Sequence, residues 1–279
     1  MPIKVYKPTS SGRRKSSVDA FLDITKWSPE KSLIKILQPK SGRNNQGKIT
    51  VRHKSGGAKK YYRLVDFVQS KFDLPATVLA IEYDPNRGPR IALIEYADGV
   101  KSYVLCPDNF PVGTKIVSSN HAIEATVGNR MPLEFIPVGL FIYNIEMTAG
   151  KGGQLVRGAG MSAQLVGVEG DYCTVRLPSG ETRKIHKKCS ATIGVLGNID
   201  RRLIRWGKAG RMRHRGIKPT VKGKNMNPVD HPHGGGEGHS PIGQKRGAMS
   251  VYGKKVRGVK TRIPQKWSNK FIVKSRRDK

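Results

Sequence analysis

Charge limits what this chain can fold into, because it is partitioned by position. Residues 1–60 carry 15 Lys/Arg against 3 Asp/Glu, residues 61–200 carry 14 against 14, and residues 201–279 carry 23 against 3. The net charges are +12, zero and +20, so the whole formal surplus of +32 lies in the two ends. A surplus of that size repels itself and favours a polyanionic partner. A neutral middle between basic arms fits a folded core with extensions that order on a polyanion. The 279 residues leave room for two domains of ordinary size. Membrane surfaces are also anionic, but the sequence holds no long apolar span and no basic helix with a broad apolar face, so no membrane partner is expected. Cys106, Cys173 and Cys189 are odd in number and widely spaced, which points to a reducing compartment rather than to disulfides or zinc. The N-terminus has no apolar stretch of the secretory kind.

The neutral middle reads as short strands. β-prone runs fall at 61–68, 76–83, 90–97, 100–105, 114–118 and 123–127, separated by turn signals such as Asp84-Pro85-Asn86-Arg87-Gly88-Pro89 and Ala97-Asp98-Gly99. Their spacing predicts a small β-barrel over 61–128. A second set at 139–146, 163–169, 172–177, 181–186 and 191–195 predicts another over 129–200, with a hairpin turn at Pro178-Ser179-Gly180 and the boundary near 128–132. Inside the second set lies Gly150-Lys151-Gly152-Gly153-Gln154-Leu155-Val156-Arg157-Gly158-Ala159-Gly160. It lacks GxxxxGK[ST] and no helix is expected after it, so nucleotide hydrolysis is rejected. Lys151 and Arg157 can instead contact an RNA backbone, or the segment is only a flexible connection.

The ends are poor in apolar periodicity. Residues 1–60 hold the basic knot Arg13-Arg14-Lys15 and a turn-rich segment with Arg43 and Arg52 around one β-prone piece at 48–52. Beyond 200, a short helix is expected at 201–206. Lys208, Arg211, Arg213, Arg215, Lys222, Lys224, Lys245, Arg246 and Arg262 then alternate with Gly, Pro and single apolar residues. These cations are the candidate RNA contacts of the extensions. Trp267 and Phe271, four apart, are candidates for a small packed anchor.

Within the second extension, residues 226–238 read MNPVDHPHGGGEG. Pro228 and Pro232 fix φ and bias the preceding residues towards extended backbone. Gly234, Gly235 and Gly236 allow close approach of a partner to the main chain. A compact loop is expected, with no helix or strand. His231, His233, His239 and Asp230 are potential metal ligands, but proline separates the first two donors and neither HExxH nor CxxC accompanies them, so no metal is expected. An Asp230–His231 catalytic pair has no nucleophile or apolar pocket beside it, so no enzyme is expected. Glycine turns offer backbone N–H groups to phosphate, which makes a nucleic-acid contact loop through His231, His233 and the neighbouring lysines the favoured reading. A solvated linker fits the two prolines poorly.

Taken in order, Gly42-Arg43-Asn44-Asn45, Tyr83 to Arg87, Ile136-Pro137-Val138-Gly139, Asn144-Ile145-Glu146, Gly150 to Gln154, Leu177 to Glu181, GKAGR and MNPVDHPHGGGEG resemble the universal large-subunit ribosomal protein two family in its bacterial-type form. The resemblance implies a mainly β protein, an OB-like barrel followed by an SH3-like barrel, with long, basic, irregular N- and C-terminal extensions. It implies a cytoplasmic ribosomal component that binds large-subunit rRNA, meets other ribosomal proteins and supports joining to the small subunit at an intersubunit bridge. It places Arg87 and Arg157 among RNA-contacting arginines. It also implies that the loop of Asn227, Asp230, His231, Gly234, Gly235 and Gly236 lies near the peptidyl transferase centre. No cofactor is expected beyond structural magnesium carried by the rRNA. A general basic packaging protein, binding duplex DNA and rRNA alike, would not need the two barrels.

Overall fold

A computed structural model describes residues 3–237, 240–245 and 247–276. It divides into two compact units: Met1–Gln38 with Lys59–Lys208 and Lys270–Lys279, and Pro39–Ala58 with Ala209–Asn269. No helix among the described residues is long and apolar enough to cross a membrane.

The first unit is almost wholly β. Strands β1 (Ile3–Val5), β2 (Ser17–Asp19), β3 (Ile34–Ile36) and β4 (Tyr61–Arg63) form two short antiparallel pairs, β1 with β2 and β3 with β4. Strands β5 (Ala76–Glu82), β6 (Ile91–Tyr96), β7 (Lys101–Leu105) and β8 (Lys115–Ile116) form an antiparallel sheet in the order β7-β6-β5-β8. This is the half-barrel of the OB-like fold. Alternation on β6 sends Ala92 and Ile94 to one face with Val78 and Val104, and Ile91 and Leu93 to the other with Ala80 and Tyr103. The register of β5 against β6 shifts between Val78 and Ala80, which bends the sheet. Strands β9 (Arg130–Pro132), β10 (Phe141–Tyr143), β11 (Ala163–Glu169), β12 (Tyr172–Arg176), β13 (Thr182–His186) and β14 (Ser190–Ile193) belong to the SH3-like barrel. With β15 (Ile272–Lys274) the sheet order is β15-β13-β12-β11-β10-β14-β9. Its core includes Met131, Leu133, Ile142, Leu165 and Val175, with Cys173 and Cys189 as free, buried thiols.

Residues 1–60 do not behave as one extension. Residues 3–38 go with the barrels, held by the Asp19 and Asp23 carboxylates and by the Glu30 backbone. The Arg90 guanidinium, 3% exposed, bonds Asp23 through Nε (2.7 Å) and Nη2 (2.9 Å) and Asp19 through Nη2 (2.7 Å). Burial works against its charge, but the hydrogen bonds and charges of Asp23 and Asp19 outweigh it, so Arg90 holds its proton more tightly than usual. The Tyr103 hydroxyl accepts from the Glu30 backbone N–H at 2.7 Å and donates to buried Glu82 at 2.6 Å. Leu33 packs against the second face of β6. Each contact covers barrel surface that would otherwise be wet.

Three local expectations are corrected. Residues 123–127 form no strand, because the Asn129 side chain takes the pairing positions: it donates to Glu124 O and accepts from Val117 N–H. Residues 48–52 make only an isolated bridge, Arg43 with Ile49. The expected helix at 201–206 is a 3-10 segment, Ile199–Leu203.

The second unit is different in kind. Among its described residues it has one six-residue helix, α1 (Ala209–His214), and turns tied by backbone bonds such as Ser55 N–H to Gly216 O and Ala58 N–H to His214 O. Among its described residues only Gly216 and Ser268 are buried, and no apolar side chain is. It carries 19 Lys/Arg and 2 Asp/Glu, a net +17 in 81 residues.

Candidate RNA interface

The DPNR turn follows β5 and is built around Asp84, whose buried carboxylate accepts from the Asn86 backbone N–H (2.8 Å) and from Arg87 Nε (2.5 Å). That pairing aims the Arg87 guanidinium across the rings of Tyr62 (5.6 Å) and Phe67 (5.5 Å). Arg157, at the far end of the glycine-rich segment, lies over the same Phe67 ring at 4.5 Å. Two sequence-predicted arginines, 70 positions apart, thus share one aromatic platform. The platform is fixed from behind: Phe67 O accepts from Gly153 N–H (2.9 Å) and faces the Asn144 amide.

The glycine-rich segment is held below. Glu146, three residues past β10, is 2% exposed and pairs with Arg130 of β9, 1% exposed, at 3.0 Å. The same carboxylate accepts from Gly150 N–H (3.2 Å), Gly152 N–H (3.0 Å) and Ser190 N–H (3.1 Å). Burial lowers the Arg130 pKa, opposed by the Glu146 charge and hydrogen bond. Gly152 sits at φ +86°, and a Cβ on Gly153 would meet Asn144 Oδ1 at 2.0 Å, so neither position admits a side chain without rebuilding. Lys151 and Arg157 are exposed on this frame.

In the second unit, the loop at 226–236 has a defined shape. Gly235 N–H donates to Met226 O and Gly234 N–H to His231 O. A Cβ on Gly234 would lie 2.2 Å from Asn227 O. His231 Nδ1 accepts from the His233 backbone N–H at 3.0 Å, and His233 Nε2 accepts from Met249 N–H at 2.9 Å. The imidazole rings stand 4.7 Å apart. Each histidine therefore spends one nitrogen on a backbone N–H, His231 within the loop and His233 on Met249 beyond it, and in the neutral ring the other nitrogen is the donor. Asp230 is exposed beside them. Among the described residues no group of three or more His, Cys, Asp and Glu is placed to hold a metal ion. Gly238, His239 and Arg246 lie outside the described residues.

The remaining sequence-predicted cations fall into separate groups. Arg13 covers the Tyr6 ring at 5.4 Å, and Arg14 lines a groove of about 560 Å³ with Lys15, Arg202 and Arg205. Lys208 packs against Gly12 nearby. In the second unit, Arg43, Arg52, Lys54 and Lys218 line a groove of about 470 Å³, with Arg52 also over Tyr252. Arg211 and Arg213 are on α1 and Arg215 follows it; Lys222 precedes the turn Gly223–Asn225 and Lys224 lies within it. Lys245 is exposed, and Arg262 bonds Asn269 and Ser268. Sequence reasoning missed Phe67, Tyr62, Arg130 and Glu146.

The shared platform makes a testable expectation. Phe67→Leu keeps apolar bulk but removes the π face from both guanidiniums, each contact being worth about 0.5–2 kcal/mol. RNA affinity should drop roughly tenfold or more, with little change in melting temperature. Filter binding with Phe67→Leu at unchanged affinity would show that the ring does not organise the arginines.

Two family models match the chain. The ribosomal proteins L2, RNA binding N-terminal domain, matches residues 30–118, and the ribosomal proteins L2, C-terminal domain, matches residues 126–253. The two matches span the half-barrel with the β3–β4 pair beside it in sequence, the strands β9 to β14 of the SH3-like barrel, and the loop with both histidines.

Proposed function

This chain belongs to the ribosomal protein L2 family, and from that premise we propose how its parts divide the work of a structural, rRNA-binding constituent of the large ribosomal subunit. The barrels supply shape and a few accurately placed cations, chiefly Arg87, Arg157 and Lys151. The second unit supplies the bulk of the counterion release, through Arg43, Arg52, Arg211 to Arg215, Lys222, Lys224 and Lys245. The observation that carries this reading is a net +17 on 81 residues whose described part buries no apolar side chain. Such a segment fits between RNA helices, where a domain with its own core would not.

The loop of Asn227 to Gly236 is proposed to lie against the RNA of the peptidyl transferase centre. Its histidines hold backbone N–H groups and carry out no reaction; the RNA supplies the chemistry. Cationic surface not consumed by one RNA serves another, so support of subunit association through a bridge to the small subunit belongs to the same reading. No cofactor is required of the chain itself, and magnesium enters with the rRNA phosphates.

Gradient sedimentation of extract after a high-salt wash tests the assignment: the chain should travel with the large subunit, and a chain running free even in low salt would refute it. Val229, 97% exposed on the loop, is the position for a photo-crosslinker. Cross-links to the peptidyl transferase region are expected, and cross-links confined to distant RNA would remove the loop from that place.

A further inference from the structure

We propose that Glu146 is a positioning residue for rRNA binding, whose buried carboxylate sets the Gly150–Gly153 turn so that Lys151 presents its ammonium to a phosphate. This rests on the RNA-contact reading of that turn and makes it specific. A glycine-rich turn ordinarily invites an anion through its backbone N–H groups. Here all four are taken within the protein. Gly150 and Gly152 donate to Glu146, Lys151 to Thr148 O and Gly153 to Phe67 O. The protein's own carboxylate occupies the position an anion would take, so the turn meets RNA through the Lys151 side chain, which is exposed.

The carboxylate is itself fixed. Arg130 Nη2 reaches Glu146 Oε1 while Arg130 Nη1 bonds Asn144 O (2.9 Å) and Thr192 Oγ1 (3.3 Å). The Ser190 N–H of β14 completes the set. The turn is thereby referenced, through Glu146, to two strands distant in sequence, β9 and β14. Through Gly153 it is also tied to Phe67, on which Arg87 and Arg157 lie, so Lys151 and the two arginines share one frame.

The test uses the full chain and purified large-subunit rRNA, with affinity measured over a salt series. Lys151→Ala should weaken binding and lower the salt slope by about one. Glu146→Gln replaces one acceptor oxygen by an amide that cannot accept from these N–H groups. It should lower the slope by the same amount, with no further drop in the Glu146→Gln/Lys151→Ala double variant. Glu146→Asp keeps a charge for Arg130 but withdraws the oxygens from Gly150 and Gly152, and should act alike if the amide variant fails to fold. Leu165→Ala, in the same barrel core, controls for destabilisation alone and should leave the slope unchanged. A wild-type slope in the folded Glu146 variants, an additive double variant, or a slope change in Leu165→Ala would each overturn the inference. Lys151→Ala without effect would instead remove the RNA contact on which it stands.

Discussion

Between about 50 and 200 mM monovalent salt, the affinity of the full chain for large-subunit rRNA is expected to fall by roughly 10³- to 10⁵-fold, the loss that accompanies some 6–10 phosphate contacts. The structure says which cations are available for them. Arg90 is spent on Asp19 and Asp23, and Arg130 on Glu146, all within the barrel unit. The second unit has 19 cations and 2 acids, so its cations have almost no carboxylates to pair with. Neutralising Lys222, Lys224 and Lys245 together to Gln should therefore reduce the slope of log affinity against log salt by about three. Neutralising Lys71, which pairs with Asp98 on the half-barrel, should leave the slope nearly unchanged. Filter binding over the salt series decides this. A shallow slope, or equal changes from the two sets, would mean that shape rather than the basic unit dominates the affinity.

Strand positions in the middle of the chain were legible because alternation and turn residues are local signals. The run at 76–83 becomes Ala76–Glu82, and Pro178-Ser179-Gly180 does close the hairpin between β12 and β13. Pairing partners were not legible in the same way. Asn129 looks like any turn residue, yet its side chain replaces a strand at 123–127 by satisfying two backbone groups. The N-terminal segment shows a signal that went unread. Its only acids, Asp19, Asp23 and Glu30, all lie within residues 3–38, and the two aspartates neutralise Arg90. Acids in an otherwise basic arm mark where it meets protein. Arg87, Arg157 and Lys151 could be picked as residue types at turns. Phe67 could not, because an aromatic in a β-prone run reads as core, and only the fold shows two guanidiniums over it. The histidine loop was legible as a compact turn; that His231 and His233 accept backbone N–H groups depends on Met249, which no local pattern connects to them.

In the RNA-free chain, hydrogen exchange should divide along the two units, with amides of β5, β6, β11 and β12 exchanging through global unfolding at about 5–15 kcal/mol. Those of 209–269 should exchange through openings of about 0–2 kcal/mol. The reason is the energetic imbalance of the second unit. Ordering a residue costs about 1–2 kcal/mol of backbone entropy, and the usual compensation is burial of apolar area at about 25 cal/mol per Å². This unit buries no apolar side chain among its described residues. Its turn hydrogen bonds are individually worth about 1 kcal/mol net, and its net +17 opposes compaction. Bound rRNA reverses the sign of the charge contribution, so protection in 209–269 should rise by several orders of magnitude while the barrel amides change little. Residues 16–36 are the informative exception to a simple arm-and-core division. They should be protected without RNA, since Arg90, Tyr103 and the face of β6 already hold them. Rapid exchange at 16–36 would mean that the Arg90 contacts do not hold the segment in solution. Full protection of 209–269 without RNA would mean that the basic unit has a source of stability other than the polyanion.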